Sequence, residues 1–151
     1  MGAVYFYHMT RTPLDATLPV LLEKSLAAGW RVLVRGTSGA ELERLDELLW
    51  LRPEEGFLPH GIAGGDRDAD QPVLLGVDAP LAGREALICV DGAQVDPAEV
   101  AGLARASLLF DGGDAAAVEA ARGQWRAVTG AGLSAQYWSQ ESGRWEKKAE
   151  A

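Results

Sequence analysis

Cysteine is nearly absent from this chain of 151 residues: Cys89 stands alone. One thiol cannot close an internal disulfide, which excludes the cystine-stapled folds of small secreted domains. Cys89 lies in the apolar run Ala86-Leu-Ile-Cys-Val90 with no basic flank, so it reads as a buried structural thiol and not a nucleophile. Histidine is equally scarce, at His8 and His60 only, and two histidines with one buried cysteine do not make a zinc site. Positive charge is short as well. Lys and Arg total 14 against 22 Asp and Glu, a net charge of -8. Binding to DNA relies on basic side chains neutralising phosphates, so direct DNA binding is not expected. No apolar run approaches the length that spans a bilayer, and residues 1–10 lack the basic start and apolar core of a signal peptide. The expected location is the cytoplasm, with no membrane association.

What is present reads as alternating strands and helices. Residues 3–8 are short, apolar and rich in aromatic and β-branched types, a buried strand. Thr12-Pro13 predicts a helix start, with Thr12 as cap, and Leu18, Leu21, Leu22, Ser25 and Leu26 form one stripe up to Gly29. Arg31–Arg35 follows as a strand with three consecutive apolar residues, a pattern of burial on both faces. Ser38-Gly-Ala-Glu41 reads as a capping box opening a helix that turns Leu42, Leu45, Leu48 and Leu49 inward and ends near Trp50. Residues 51–71 read as a long loop, a length that is often functional. Strands at 72–77, 86–91 and 107–111, a short helix from Pro97, a long helix from Asp114 to Gly130 and a strand within 133–140 complete the series. The expected fold is α/β, three layers α/β/α around a mostly parallel sheet, nucleotide-binding-like but without a phosphate-binding loop. Residues 1–142 form the expected single domain, and 143–151 a polar tail expected to fray.

Catalytic chemistry finds little support. Gly36-Thr-Ser-Gly39 follows a strand and precedes a helix, as a phosphate loop would, but the glycine spacing is wrong and no Lys-Ser/Thr pair follows. Glu41 stands instead where phosphate would approach. No nucleophile elbow accompanies either histidine. The acidic cluster Asp66–Asp70 lacks the glycine and the closing glutamate of a calcium loop and reads as a solvated face. No catalytic residue, cofactor site or metal site is expected.

Two groups of residues point to partners instead. Trp50 closes a helix whose leucine stripe is already full, and Phe57 sits in the loop beyond. Such aromatics are either plugs for the domain's own core or anchors for another protein. On the late helix, Arg122 and Arg126 are four apart with Trp125 between, all on one side. Two guanidiniums beside an aromatic suit an acidic peptide with an apolar end. The alternative is an inward Trp125 with the arginines as plain surface charge.

The run Leu45-Asp-Glu-Leu-Leu-Trp50, followed by Phe57-Leu-Pro-His60-Gly, resembles the signature of the chi subunit of bacterial DNA polymerase III, with Trp, Phe and Pro-His at the family's spacing. The extended start Val4–Tyr7, the strand Trp30–Val34 and the helix with Arg122, Trp125 and Arg126 agree in pattern. The resemblance implies a non-catalytic adaptor of the clamp-loader assembly. It implies that Trp50 and Phe57 lie where the small psi subunit, or another clamp-loader component, docks. It implies that Arg122, Trp125 and Arg126 meet the acidic C-terminal tail of single-stranded DNA-binding protein. Val118 and Thr129 stand where some members carry further basic residues, so this patch is thinner, and Arg105 or Arg144 are the cations left to supplement it. Two rival readings are a degenerate nucleotide-binding or hydrolytic α/β domain, and an adaptor that offers the Trp50/Phe57 surface to a helicase.

Overall fold

The first strand, β1 (Ala3–Met9), serves two cores at once. Val4 and Phe6 point into one, Tyr7 and Met9 into the other. A strand buried on both faces needs helices on both faces, and the rest of the chain supplies them. A computed structural model describes residues 2–51, 59–65 and 68–151. After β1 come α1 (Leu14–Ala27), β2 (Val32–Arg35), α2 (Gly39–Trp50), β3 (His60–Ile62), β4 (Val73–Gly76), β5 (Ala86–Cys89), α3 (Pro97–Val100), β6 (Arg105–Asp111), α4 (Ala115–Gly130), β7 (Ser134–Ser139) and β8 (Glu146–Glu150). Among the described residues the strands form one eight-stranded sheet in the order β3-β4-β2-β5-β6-β1-β7-β8. All neighbours are parallel except β7 and β8. Leucines of α1 and α2 fill one core, while Val100 of α3 and Ala121 and Val128 of α4 fill the other. The three-layer α/β architecture read from the sequence is the one observed.

The differences lie in short or polar elements. Within the span predicted as loop, His60–Ile62 forms β3 against β4; three residues are too few to carry a period. Residues 146–150, expected to fray, form β8, and Ala135 and Ala151 exchange backbone hydrogen bonds of 2.8 and 3.1 Å. Glu-Lys-Lys-Ala-Glu is what an exposed edge strand carries to discourage pairing with other chains, and that composition hides it. Thr12 does not cap α1. Pro13 takes that position, and the Thr12 hydroxyl accepts from Gln140 Nε2 at 2.6 Å. The buried Gln140 Oε1 accepts the amides of Thr10, Arg11 and Thr12, tying the β1–α1 turn to the end of β7. Ser38 caps α2 by accepting from Glu41 N, but the Glu41 carboxylate turns to Arg44, so the box is half made. The complete box is at α3, where Asp96 and Glu99 cap reciprocally.

Glu99 also grips Arg35 through two bonds of 2.8 and 2.9 Å, and this holds its carboxyl below the usual carboxylate range. Asp91 is held low by the Thr37 hydroxyl and then by Ser38. Both groups bind protons less tightly folded than unfolded. Their contribution to stability is full above the unfolded carboxylate range and is lost as pH falls through their lowered folded values. Acid unfolding followed by circular dichroism is therefore expected to show a shallower loss in Arg35→Leu, because Glu99 then titrates more nearly as it does in the unfolded chain.

Candidate functional site

The C-terminal end of α2 carries the first surface. Leu42, Leu45 and Leu49 fill the inner stripe, which leaves no room in the core for the next large side chain. Trp50 is accordingly 54% exposed and Leu51 69%. The reading of Trp50 as a core plug is thereby set aside. Phe57 lies outside the described residues. Beneath Trp50 is His60, whose side chain is buried on β3. Its ring centre stands 4.5 Å from the Trp50 ring. His60 Nε2 lies 3.1 Å from the Asp46 carbonyl and 3.2 Å from the Asp46 carboxylate. A carbonyl only accepts, so Nε2 carries the proton and donates. His60 thus fastens the end of α2 to β3 and floors the exposed indole.

The second surface is on α4, across the sheet. Asp114 caps the helix by accepting from Ala116 N and Ala117 N, and Ala121 and Val128 set its buried side. Arg122 and Arg126 are exposed, and Arg122 stands 3.7 Å from Glu119 one turn earlier. Arg126 Nη2 lies 3.9 Å from where a side chain at Gly123 would begin, so its guanidinium reaches back along the helix surface toward the preceding turn. Trp125 is only half-buried. It meets Phe6 edge-on at 5.3 Å and Tyr137 at 6.1 Å. The inward reading therefore holds for the body of the indole, while the two arginines remain free of the core. Tyr137 continues the aromatic row. Its hydroxyl is 2.7 Å from His8 Nδ1, and burial raises its pKa while the charge of Arg122 lowers it. Gly112 makes room for this row, since a Cβ there would stand 2.2 Å from the His8 ring. Tyr137 and His8 are members of this surface that residue types along the chain do not single out. The signal is the period-two alternation of β1 and β7, which sends both toward α4.

The N-terminus of α2, where a phosphate loop would hold its ligand, is engaged by the protein's own Asp91. At the N-terminus of α2 the Asp91 carboxylate takes the Thr37 hydroxyl at 2.7 Å, the Ser38 hydroxyl at 3.2 Å and the Thr37 amide at 3.3 Å. A phosphate loop offers such donors to its ligand; here they are spent internally. The adjoining cleft of about 490 Å³ at the carboxyl ends of β1, β5 and β6 is lined by Glu41, Asp91, Asp111 and Asp114, which repel a phosphate. Burial pushes the Cys89 thiol up to about 12, leaving no thiolate at neutral pH. No group of three or more His, Cys, Asp or Glu suited to a metal ion occurs among the described residues. No helix among them is long and apolar enough to cross a membrane.

The sequence profile of the family described as DNA polymerase III chi subunit, HolC, matches residues 1–136. A DNA polymerase III subunit chi of Pseudomonas aeruginosa is 35% identical over 83 residues, which cover 53% of this chain and 57% of the relative. One of Escherichia coli is 44% identical over 46 residues, covering 30% of this chain and 31% of the relative. The chain thus spans about half, or less, of the length of these curated relatives. The profile match runs through α2, the His60 strand and α4, and on that ground the chain belongs to the DNA polymerase III chi subunit family.

Proposed function

We propose that this protein is a non-catalytic adaptor in DNA replication that holds one partner on each face of its sheet. The exposed end of α2, with Trp50 and Phe57, takes a psi-type subunit or another clamp-loader component. The outer side of α4, with Arg122, Trp125 and Arg126, takes the acidic C-terminal tail of single-stranded DNA-binding protein. The observation that carries this reading is placement. α2 packs into one core and α4 into the other, so the two surfaces are separated by the sheet and neither partner excludes the other. Electrostatics supports the division of labour. A net charge of -8 discourages contact with DNA itself, while a local pair of arginines selects an acidic tail from a protein already on the strand.

The test is a titration with a fluorescently labelled acidic peptide that has an apolar C-terminal residue, at low salt. Saturable binding is expected, weakening about tenfold in Arg122→Ala/Arg126→Ala, because charge-assisted bonds to carboxylates are lost. Both arginines are exposed, so the variant keeps its fold. Equal affinity in variant and parent removes α4 from the tail-binding role.

A further inference from the structure

Helices cover only part of the sheet face that carries α1 and α2. α1 packs on β2 and β6, and α2 on β3 and β4. Beyond them, a cleft of about 800 Å³ opens between α1 and the turn that leads into β8. That size falls in the range of small-ligand sites, about 300–1,000 Å³. Three of the chain's five tryptophans line it: Trp30, Trp138 and Trp145. Three cations, Lys24, Arg105 and Arg144, line it too, and among its described lining residues there is no Asp or Glu. In a chain with 22 acidic and 14 basic residues this is a local reversal of charge. Arg105 is already oriented. Its guanidinium carbon stands 4.0 Å from the Tyr5 ring centre and 5.1 Å from that of Trp30. Trp145 meets Tyr7 edge-on at 5.3 Å, which fixes the far wall. The family match ends at residue 136, before Trp138, Arg144 and Trp145, so this wall is a feature of the chain beyond that match.

A ligand for this cleft must present flat apolar surface together with negative charge. The strands that line it, β5, β6, β1 and β7, are each paired on both edges, so a peptide cannot join them as a further strand. Aromatic faces interleaved with cations are instead the composition of sites that stack nucleobases without regard to sequence. We propose that the cleft binds a nucleoside phosphate, free or as the end unit of a single DNA strand, with the base among Trp30, Trp138 and Trp145 and the phosphate held by Lys24, Arg105 and Arg144. Contact is confined to this short stretch, because Glu141 and Glu150 stand exposed on the hairpin beside it.

The experiment titrates the full chain at low salt with thymidine monophosphate and with an eight-residue oligothymidylate, following tryptophan fluorescence. Saturable quenching is expected with the oligonucleotide. Its log affinity should fall with log salt at a slope no steeper than about -2, since three cations at about 0.7 per contact set the limit on single strands. The exposed pair Lys24→Gln/Arg144→Gln and the separate change Trp145→Ala should each weaken binding about tenfold. Quenching by the monophosphate as well assigns the site to a free nucleotide unit; quenching by the oligonucleotide alone assigns it to a strand end. Absence of saturable quenching, equal affinity in both variants, or equal competition by inorganic phosphate would overturn the proposal. So would displacement of the oligonucleotide by an acidic peptide that itself binds more tightly there.

Discussion

Arg84→Met is expected to unfold with about 3 kcal/mol less free energy than the parent chain, the largest loss of stability from any single polar side chain here. Arg84 is 7% exposed and stands just before β5. Its Nη1 donates to the carbonyls of Val32, Gln71 and Pro72, and its Nη2 donates to the Asp68 carbonyl at 2.8 Å. These acceptors belong to β2, to the approach to β4 and to the short 3-10 turn Asp68–Asp70. One guanidinium therefore reinforces three segments at the point where Val32 N already donates to the Pro72 carbonyl and Gln71 N to the Asp68 carbonyl. Burial, and then the charge of neighbouring Arg31, lower its pKa from the ordinary arginine value. Methionine fills similar volume but leaves buried carbonyls without a donor, which costs more than the apolar contact returns. Urea unfolding should show a lower midpoint at an unchanged m-value. Arg84→Lys should recover only a small part, because a point charge on a flexible stem cannot spread over acceptors that the planar fork reaches together. A loss under about 1 kcal/mol in the methionine variant would mean that water substitutes for the guanidinium.

Arg84 also marks where sequence reading stops. Strands with apolar runs and helices with leucine stripes were legible because burial imposes a period, as in Leu42, Leu45 and Leu49 or in the alternation of Val4 and Phe6. The family signature around Trp50 and His60 was legible because spacing is itself sequence. Arg84, Gln140 and Asp91 were not. Each acts through partners in other segments, and nothing near Arg84 in the chain forecasts four carbonyl acceptors. The cleft of Trp30, Arg105 and Trp145 has the same character: its residues come from the start of β2, the start of β6 and the final hairpin, and only the sheet order makes them neighbours. Trp50 and Trp125 show the limit for site residues. Residue type left both open between core and surface. The packing around each decides: a full leucine stripe turns Trp50 outward, and Phe6 beneath Trp125 holds its ring partly buried.

Trp50→Ala is expected to leave folding nearly intact and to cost about 2–4 kcal/mol in affinity for a psi-type subunit, a loss of roughly 30-fold to 1,000-fold. The argument begins with exposure. A side chain that is 54% exposed forfeits little burial on truncation, and its floor, His60, keeps its bonds to Asp46 without it. The cost to stability should therefore stay within about 0.5–1 kcal/mol. In a complex the same indole loses its remaining water, and a tryptophan seated on a rigid base is the kind of residue that dominates interface energetics. Calorimetric titration of the purified partner into each variant measures the effect. The acidic-peptide titration run beside it gives the contrast: Trp50→Ala should leave peptide affinity unchanged, and Arg122→Ala/Arg126→Ala should leave the psi-type interaction unchanged, because the sheet lies between the two surfaces. Partner affinity that survives Trp50→Ala would sink the α2 end as a docking ledge. Loss of both interactions in either variant would show that the two faces are not independent, and with that the idea of one partner per face would fail.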